Sequence, residues 1–311
     1  MGRPSPSTPL NFTNRHGLSP EIIKLLVRER YNPEGADVGI SATTLCNPIQ
    51  QTILKQRHPD KLKVFDVSDR FWSFLGAIAH QVLSEHGRDD ALVETRFFAE
   101  AHGKVVSGQT DHYCGEIITD YKCTKAYKVM KGDFTDWERQ TNLYAWLAET
   151  NGWPVTGLRV FAFILDWSQR NLYQKGYPPC PIVELPLPLW PKEQQHRFVS
   201  DRVKALLLAE QDHDHELPEC TQREMWQDAR DWAVVKEGGK RAVKCYDNEE
   251  ESRTHNFKSG EVLIQRLTSR KRCLNHCAAA PVCSQHARLL LEEGGEPWQQ
   301  KLVEPVTEEQ V

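Results

Sequence analysis

Two carboxylates and a lysine lie close together in the stretch from residue 107 to residue 125. Asp111 follows a Gly-containing segment that we interpret as a turn, and the residues from Ile117 to Lys122 are typical of a strand. Side chains alternate between the two faces of a strand, so Asp120 and Lys122 share one face, roughly 7 Å apart. A hairpin-like return of the chain would place the carboxylate of Asp111 beside that of Asp120.

These residue types suit metal-assisted cleavage of a phosphodiester bond. Carboxylate oxygens are hard ligands for Mg²⁺ or Mn²⁺. Such an ion acidifies a bound water and neutralises the charge that develops on the phosphate, and a lysine orients that water or stabilises the charge. Taken on spacing alone, an ordinary surface hairpin explains these residues at least as well, because Asp and Lys are common at strand edges.

The pattern Gly108-x-x-Asp111 followed by Asp120-x-Lys122 resembles the core motif of the PD-(D/E)XK nucleases. It is most similar to their RecB-like branch, which includes the AddB nuclease domain and the RecB-like exonuclease of CRISPR adaptation. That branch adds an upstream helical His, a downstream Q-x-x-x-Y helix and a C-terminal cysteine cluster. Candidates for all three follow in order here, which favours a nuclease over a surface hairpin. The resemblance covers roughly residues 40–285.

The fold that this resemblance implies is α/β. We expect a restriction-endonuclease-like core, in which a central mixed sheet is flanked by helices, with a Cys-rich C-terminal appendage. The expected segments are a flexible N-terminus, the nuclease core, the appendage and a flexible acidic tail. They span residues 1–17, 18–215, 216–293 and 294–311.

A helix is predicted from Ser68 to His86, with Ser68 as its N-cap. Its apolar stripe is expected to face the core and comprises Phe71, Phe74, Leu75, Ile78, Val82 and Leu83. His80 lies beside the stripe, where a histidine is commonly a satisfied core group. The run from Gly76 to His80 is similar to the family's G-x-x-x-H element, and the resemblance implies that His80 binds a metal ion.

Glu94 falls within a predicted strand from Leu92 to Phe98. It is either a solvated strand residue or the acidic residue that the family often carries on its first core strand. With it, the resemblance implies catalytic roles for Asp111, Asp120, Lys122 and Glu94. The implied ligands of Mg²⁺ or Mn²⁺ are His80, Asp111, Asp120 and the backbone carbonyl of Tyr121.

A capping box at residues 135–138 predicts a helix over 136–150. Gln140 and Tyr144 are four positions apart and share one face of it. They match the family's Q-x-x-x-Y motif, which implies that they bind the substrate strand. Lys125, which Lys128 and Lys131 follow, belongs either to a phosphate-binding edge or to a solvated loop.

Cys273, Cys277 and Cys283 have the spacing C-x3-C-x5-C. Thiols this close together, in a chain with no apparent signal peptide, are typical of a metal or iron–sulfur site rather than of disulfides. The resemblance favours a [4Fe–4S] cluster, although the family spacing is C-x2-C-x5-C. Zn²⁺ is the alternative, and in a zinc site His276 is able to replace a thiolate.

A fourth ligand is required for either metal centre. Cys220 lies in a polar loop of the same appendage, where a core-packing role explains it poorly, and we prefer it. Cys46 is the alternative, because the family takes one cysteine from an N-terminal helix. The remaining cysteines lack cluster spacing and are predicted to be structural: Cys114, Cys123, Cys180 and Cys245.

Composition bounds the partners. The chain has 311 residues, 39% of them apolar and 26% charged, which is typical of a globular protein. Its net charge of −4 requires any nucleic-acid-binding surface to be local. No apolar stretch approaches the roughly 20 residues that span a bilayer, and no apolar leader is visible at the N-terminus. We expect a cytoplasmic protein of a prokaryote or phage-infected cell, with no membrane partner.

The function expected from the resemblance is metal-dependent DNA cleavage. An exonuclease that acts on DNA ends or single strands in replication, repair or recombination fits best, with DNA as partner and a recombination or replication protein as a further one. One alternative is a non-catalytic DNA-binding scaffold or recombination partner. Another is a structural protein that is stapled by metal at its cysteines.

Overall fold

The structure is a computed structural model that describes residues 12–27, 39–84, 90–227, 232–239, 242–246, 249–265 and 270–292. The chain divides into two compact units. Among the described residues, the first unit comprises those of 12–47 and 64–208. The second comprises 48–63 and those from 209 onward. The predicted acidic tail, 294–311, lies outside the described residues.

Both units contain strands. In chain order they are β1 (Phe12–Thr13), β2 (Ile40–Ser41), β3 (Phe65–Asp66), β4 (Leu92–Ala101), β5 (Lys104–Cys114), β6 (Ile117–Thr124), β7 (Gly157–Ile164), β8 (Ile182–Leu187), β9 (Trp232–Lys236), β10 (Ala242–Tyr246) and β11 (Glu261–Gln265).

The helices that the structure describes are numbered in the same way. They are α1 (Pro20–Val27), α2 (Ala42–Cys46), α3 (Ile49–Arg57), α4 (Phe71–Ser84), α5 (Ala126–Lys131), α6 (Thr135–Thr150), α7 (Lys192–Ala209), α8 (Glu249–Arg253) and α9 (Ser284–Glu292).

A mixed sheet forms the centre of the first unit, as predicted. β5 pairs antiparallel with β4 along its length, with β6 near its C-terminal end, and parallel with β2 around Val106. β6 pairs parallel with β7, which pairs antiparallel with β8. β7 alternates strictly between buried and half-buried residues. Because β7 is paired on both sides, it is an interior strand of the sheet.

Helix α6 covers one face of this sheet. A run of its residues from Thr141 to Ala148 is buried, and it packs with Val106, Ile118 and Val160, each of them 0% exposed. Gly108 allows the close approach, because a Cβ there would lie 2.6 Å from Cδ1 of Leu147. The predicted capping box is wrong: Phe134 is the N-cap, and Asp133 accepts a hydrogen bond from Thr135 N at 3.3 Å.

Helix α4 differs from its prediction. A 3-10 turn from Val67 to Arg70 precedes it, and Asp66, not Ser68, caps that turn. Only part of the apolar stripe reaches a core: Phe74 packs against a buried cluster that includes Val67, whereas Phe71, Ile78 and Val82 are 45%, 37% and 51% exposed. Apolar periodicity identified the helix but not what it packs against, because the same pattern serves a core or a binding surface. Residues 85–89, where the helix was expected to end, lie outside the described residues.

Several shorter elements also differ from expectation. Asp111 lies inside β5 rather than after a turn, and the turn falls at Gly115, whose φ is +56°. The sequence pattern of residues 171–177 predicts a strand, but they form the end of a 3-10 turn, further turns and a bend. The pattern of residues 225–232 predicts a helix, but the described ones form a turn, a single bridge at Gln227 and the start of β9. In both segments the polar residues that favour turns determine the local structure more than the short apolar runs do.

The second unit contains a three-stranded antiparallel sheet in the order β10-β9-β11. The Gly-containing run from residue 237 to residue 240 predicts a hairpin and residues 262–264 a short strand, and β9, β10 and β11 pair accordingly. Residues 48–63, expected in the nuclease core, belong here, because Gln50 and Leu54 of α3 line one cavity with Met225 and Ala279. α2 and α3 are separated at Pro48, as predicted.

None of the helices that the structure describes is both long and apolar enough to cross a membrane.

Asp66 ties the N-terminal segment to the first unit. The carboxylate is 1% exposed and accepts hydrogen bonds from Thr13 Oγ1 at 2.9 Å and Arg15 N at 2.8 Å. It also accepts from Ser68 N at 3.1 Å and Ser68 Oγ at 2.6 Å. Residues 12–17, expected to be flexible, are therefore held in place. Burial alone would raise the pKa of Asp66, but these hydrogen bonds outweigh it and hold the pKa well below its usual range.

The variant Asp66→Asn tests this anchor. An amide would point a donor at other donors, so we expect the free energy of unfolding at pH 7 to fall by about 1–3 kcal/mol. Because the folded-state pKa is depressed, the carboxylate stabilises the fold above its unfolded-state pKa of about 3.9. The difference from wild type should shrink as the pH falls below about 4. Urea unfolding at pH 7 and pH 3 measures it. Asp201→Asn, on the exposed side of α7, is the control, and equal loss in both variants would contradict the anchor.

Candidate functional site

The candidate site lies where two neighbouring strands part. β5 and β6 are paired only from His112–Thr119 to Cys114–Ile117. The next positions along this register are Asp111 and Asp120, which therefore lie across from each other at the opening. Asp111 Oδ2 accepts the backbone N–H of Tyr121 at 2.8 Å. The hairpin thus brings the two carboxylates together, as the sequence predicted.

Three potential metal ligands converge at this opening. Nδ1 of His80 is 3.3 Å from Asp111 Oδ1 and 3.6 Å from Glu94 Oε1. One ligand atom from each of the three residues lies within 4.8 Å of the others. Helix α4 supplies the histidine, and β4 and β5 supply the carboxylates. Glu94, a secondary candidate in the sequence, belongs to this group.

Glu94 is held in an unusual backbone conformation. Its φ is +47°, in the left-handed region that residues with a side chain rarely adopt. The neighbouring pairs are Val93 with His112 and Thr95 with Thr110, so the register places Glu94 across from Asp111. Strain of this kind persists where the surrounding structure over-determines it and is common at functional sites.

Two residues that the sequence did not single out orient Glu94. The side-chain amide of Gln109 donates to Glu94 Oε2. Arg96 donates to Gln109 Oε1 at 3.1 Å and to Ser107 Oγ at 3.1 Å. Arg96 and Gln109 are paired across β4 and β5, and only knowledge of that register, which short-range patterns do not give, would have revealed them.

A second chain of contacts runs from the sheet to α6. Lys122 Nζ is 3.1 Å from Asp120 Oδ1 and 2.9 Å from Oδ2, and it donates to Gln140 Oε1 at 3.0 Å. Gln140 Nε2 donates to Tyr144 OH at 2.7 Å. Tyr144 is only 6% exposed. These contacts hold Lys122 in place from α6, and the substrate-binding role expected for Gln140 and Tyr144 stays a prediction.

The charges of the site perturb one another. Hydrogen bonds that His80 donates to the carboxylates of Asp111 and then Glu94 raise the pKa of His80 to about 10. Burial raises the pKa of Asp120, against the opposing pull of Lys122. Burial alone would lower the pKa of Lys122, but the Asp120 carboxylate outweighs it and raises that pKa. Lys122 is therefore an ammonium group at neutral pH, suited to stabilise negative charge.

The donor set fits a divalent cation. Carboxylate oxygens with one imidazole are ligands that Mn²⁺ and, through the oxygens, Mg²⁺ accept. Asp120 Oδ2 is buried and, among the described residues, receives no hydrogen bond despite its short ionic contact with Lys122. A cation held by the three convergent ligands would lie beside this carboxylate, whose charge the Lys122 ammonium already partly offsets.

Aromatic and basic side chains lie around the site. Lys125 Nζ is 5.7 Å from the centre of the Trp72 ring, and Trp72 is 54% exposed. The ring of Tyr121 stacks on Phe161 at 6.2 Å and meets His80 edge-on at 6.4 Å. The segment after Lys125 is the helix α5, not a loop. Lysines beside exposed rings suit the phosphates and bases of a nucleic-acid strand.

The cysteine cluster lies within the second unit. Cys220, Cys273, Cys277 and Cys283 line one cavity. Burial is the largest cause that raises the pKa of each thiol, to about 11 for Cys273. The structure thus brings Cys220 to the other three. His276 lies in the π-helical turn Arg272–His276 and packs against Trp226, with ring centres 5.2 Å apart.

Cys46, the alternative fourth ligand, belongs to the first unit. It packs against the core of that unit, and burial raises the pKa of its thiol to about 11. Arg202 donates to the carbonyl of the preceding Leu45 at 2.8 Å. A buried structural thiol accounts for these contacts.

Backbone amides point at two sulfurs of the cluster. The N–H of His286 donates to Cys283 Sγ at 3.4 Å. The backbone around Gln285 also lowers the pKa of Cys283, and the backbone of Ala279 and Ala280 lowers that of Cys277, in each case against the larger effect of burial. A thiolate is a far better acceptor than a thiol, so these amides favour the ligand form of cysteine. Four thiols around one cavity are the donor set that a four-thiolate metal centre needs, although their sulfurs do not gather within 4.8 Å of one another as the ligand atoms of His80, Glu94 and Asp111 do.

Comparison with known proteins leaves the family open. No family model and no curated protein matches the chain. Among solved structures it is similar to the crystal structure of SSO0001, with 16% sequence identity and a TM-score of 0.42. The match covers 59% of this chain and 84% of that one. A likeness at this score carries no argument about fold or function.

Two glycines near the site should respond oppositely to alanine. At Gly108 a Cβ would meet Leu147 at 2.6 Å and Tyr144 at 3.0 Å, both in the core. We expect Gly108→Ala to cost about 1–3 kcal/mol in the free energy of unfolding. At Gly76, within α4, a Cβ meets nothing within 4 Å, so Gly76→Ala should be neutral or stabilise by up to about 1 kcal/mol. Chemical unfolding of both variants decides. Wild-type stability of Gly108→Ala would contradict the close packing of α6 on β5.

Proposed function

We propose that this protein is a metal-dependent nuclease of the PD-(D/E)XK type that cleaves DNA. The observation that carries the proposal is the convergence of His80, Glu94 and Asp111 beside the Asp120–Lys122 pair. Two carboxylate-bearing strands and one histidine-bearing helix meet at a parting of the sheet that is only partly closed to solvent. A purely structural hairpin has no need for that arrangement.

His80, Glu94 and Asp111, with Asp120 at their side, would hold the Mg²⁺ or Mn²⁺ ion. When bound, the ion acidifies a water and offsets charge on the scissile phosphate. Lys122 orients the attacking water or stabilises the developing charge, and its position is set by Asp120 and Gln140. Gln109 holds the Glu94 carboxylate in its orientation.

The strand-binding part of the proposal rests on the half-exposed rings near the site. Trp72 with Lys125 offers a stacking face beside a cation. Lys128 lies over Trp137, with Nζ 5.1 Å from the ring centre, in the same manner. These lysines would supply the local positive surface that DNA binding requires in a chain whose net charge is −4. DNA is therefore the proposed partner, and an end or a single strand is the proposed substrate form.

The second unit is proposed to hold a separate metal centre. Cys220, Cys273, Cys277 and Cys283 would be its ligands, with a [4Fe–4S] cluster favoured by the family resemblance and Zn²⁺ as the alternative. Such a centre stabilises the fold around it, because its binding free energy becomes folding free energy.

The nuclease proposal predicts metal-dependent loss of end-labelled linear DNA. With Mn²⁺ or Mg²⁺ the wild type should degrade the linear form, spare the circular form and stop in EDTA. Glu94→Gln keeps the shape of the side chain and removes its charge, so we expect cleavage to fall by at least about 100-fold. Turnover measured on a gel gives the ratio to wild type.

Glu100→Gln is the matched control, because Glu100 lies on the same strand with its side chain exposed. It should cleave at the wild-type rate. Equal activity of Glu94→Gln and wild type would refute the assignment of the site. Tight DNA binding without cleavage under either metal would instead support the non-catalytic scaffold.

The cysteine centre predicts bound metal in protein that is purified without oxygen. Cys273→Ser should lose most of its iron or zinc, measured by elemental analysis, because one of four ligands is weakened. Cys180→Ser, at an exposed cysteine outside the cluster, should retain it. Absorption near 400 nm separates iron–sulfur from zinc. A wild type that carries neither metal would exclude the centre.

A further inference from the structure

A glutamine shares the cavity of the four cysteines. Gln50 lies on α3, and the four cysteines of the same unit lie at least 170 positions further along the chain. Its side chain is 2% exposed and lines the cavity together with all four cysteines. Gln51 of the same helix and Gln285 also line this cavity. A buried amide is costly unless it is hydrogen-bonded. The hydrogen bonds of Gln50 therefore indicate why a polar residue is present.

Those hydrogen bonds go to two of the four thiols. Oε1 of Gln50 accepts from Cys220 Sγ at 3.5 Å and from Cys283 Sγ at 3.4 Å. One amide oxygen thus bridges a thiol from the 220 loop and a thiol from the C-terminal run. The thiol protons make this arrangement possible, because sulfur donates only while it carries a proton.

Metal binding reverses the roles of these atoms. Two thiols that become ligands each release one proton to solvent, and their sulfurs then only accept hydrogen bonds. An amide oxygen that faces two thiolates is repelled. A glutamine has a second end, Nε2, with two N–H donors, and a half-turn of the amide presents them. A glutamate at this position has no such donors at neutral pH.

We propose that Gln50 is a positioning residue of the cysteine metal centre, which turns its amide and donates N–H bonds to the thiolates of Cys220 and Cys283. The inference rests on the metal centre proposed above and is independent of nuclease activity. N–H bonds to ligand sulfur stabilise the thiolate, slow the loss of the metal and, in an iron–sulfur cluster, raise the reduction potential. Gln50 thereby links α3 to the C-terminal cysteines through the metal centre.

Two substitutions separate donation from shape and charge. Gln50→Met has a similar length and no donor, and Gln50→Glu keeps the shape with acceptors only. In the full chain, purified without oxygen, both should lose metal to an excess of a coloured chelator about 10–100-fold faster than wild type. Gln56→Met, at an exposed position on the same helix, should match wild type. The chelator assay serves for iron and zinc alike.

The pattern of outcomes decides between roles. Wild-type release from Gln50→Met would overturn the proposal, and fast release from Gln50→Glu alone would assign the effect to charge repulsion. A merely structural glutamine would lower the melting temperature of the metal-free protein as much as that of the loaded protein; we expect Gln50→Met to lower only the latter. If the metal-free chain does not fold, the release rates decide, because a merely structural glutamine predicts slow release from Gln50→Glu, which keeps its shape, and fast release from Gln50→Met alone. A wild type without metal removes the centre and this inference together, while the DNA cleavage assay stays unaffected.

Discussion

The candidate active site depends on one constraint, which is that the charge of a buried carboxylate must be offset. Asp120 is 1% exposed, and its charge is placed where water does not solvate it. Lys122 supplies the opposing charge, and Gln140 and Tyr144 extend the contact into α6. Removal of one partner of such a pair typically costs about 3–5 kcal/mol, since it leaves an uncompensated charge. The chemistry and the packing of α6 are therefore joined, and neither can vary alone.

A second carboxylate, that of Asp111, lies at the point where β5 and β6 part. Paired strands satisfy each other's backbone groups, but at this point the carboxylate of Asp111 takes the N–H of Tyr121. Replacement of a backbone acceptor by a side chain opens a gap without an orphaned amide. Into that gap α4 places His80, and the left-handed Glu94 adds its carboxylate. The candidate site therefore lies at an interruption of the backbone pairing within the sheet, not on the surface of a fully paired sheet.

Local patterns were sufficient for part of this. The Asp-x-Lys strand, the hairpin at Gly115 and the Gln140–Tyr144 face depend on residues close in sequence, and the structure has each of them. The partners of Glu94 and the position of Gln50 depend on strand register and on long-range packing, which a single sequence does not encode in any short window. The prediction that the whole apolar stripe of α4 faces the core was wrong for another reason. Periodicity indicates an amphipathic helix but not what covers its apolar face.

The two candidate sites offset charge in opposite ways, and that difference bears on how each would accept a cation. In the first unit, carboxylates gather around His80, whose pKa they raise to about 10, so that a proton supplies positive charge within the group. In the second, burial keeps the four thiols neutral, while backbone amides already aim at Cys277 and Cys283. A cation must displace protons in both. The carboxylate site exchanges one positive charge for another at a partly exposed opening, which favours reversible binding of a hard ion. At the thiol site several protons would have to leave partly buried sulfurs, and the resulting thiolates, one of them with the N–H of His286 as a donor, would retain a bound metal.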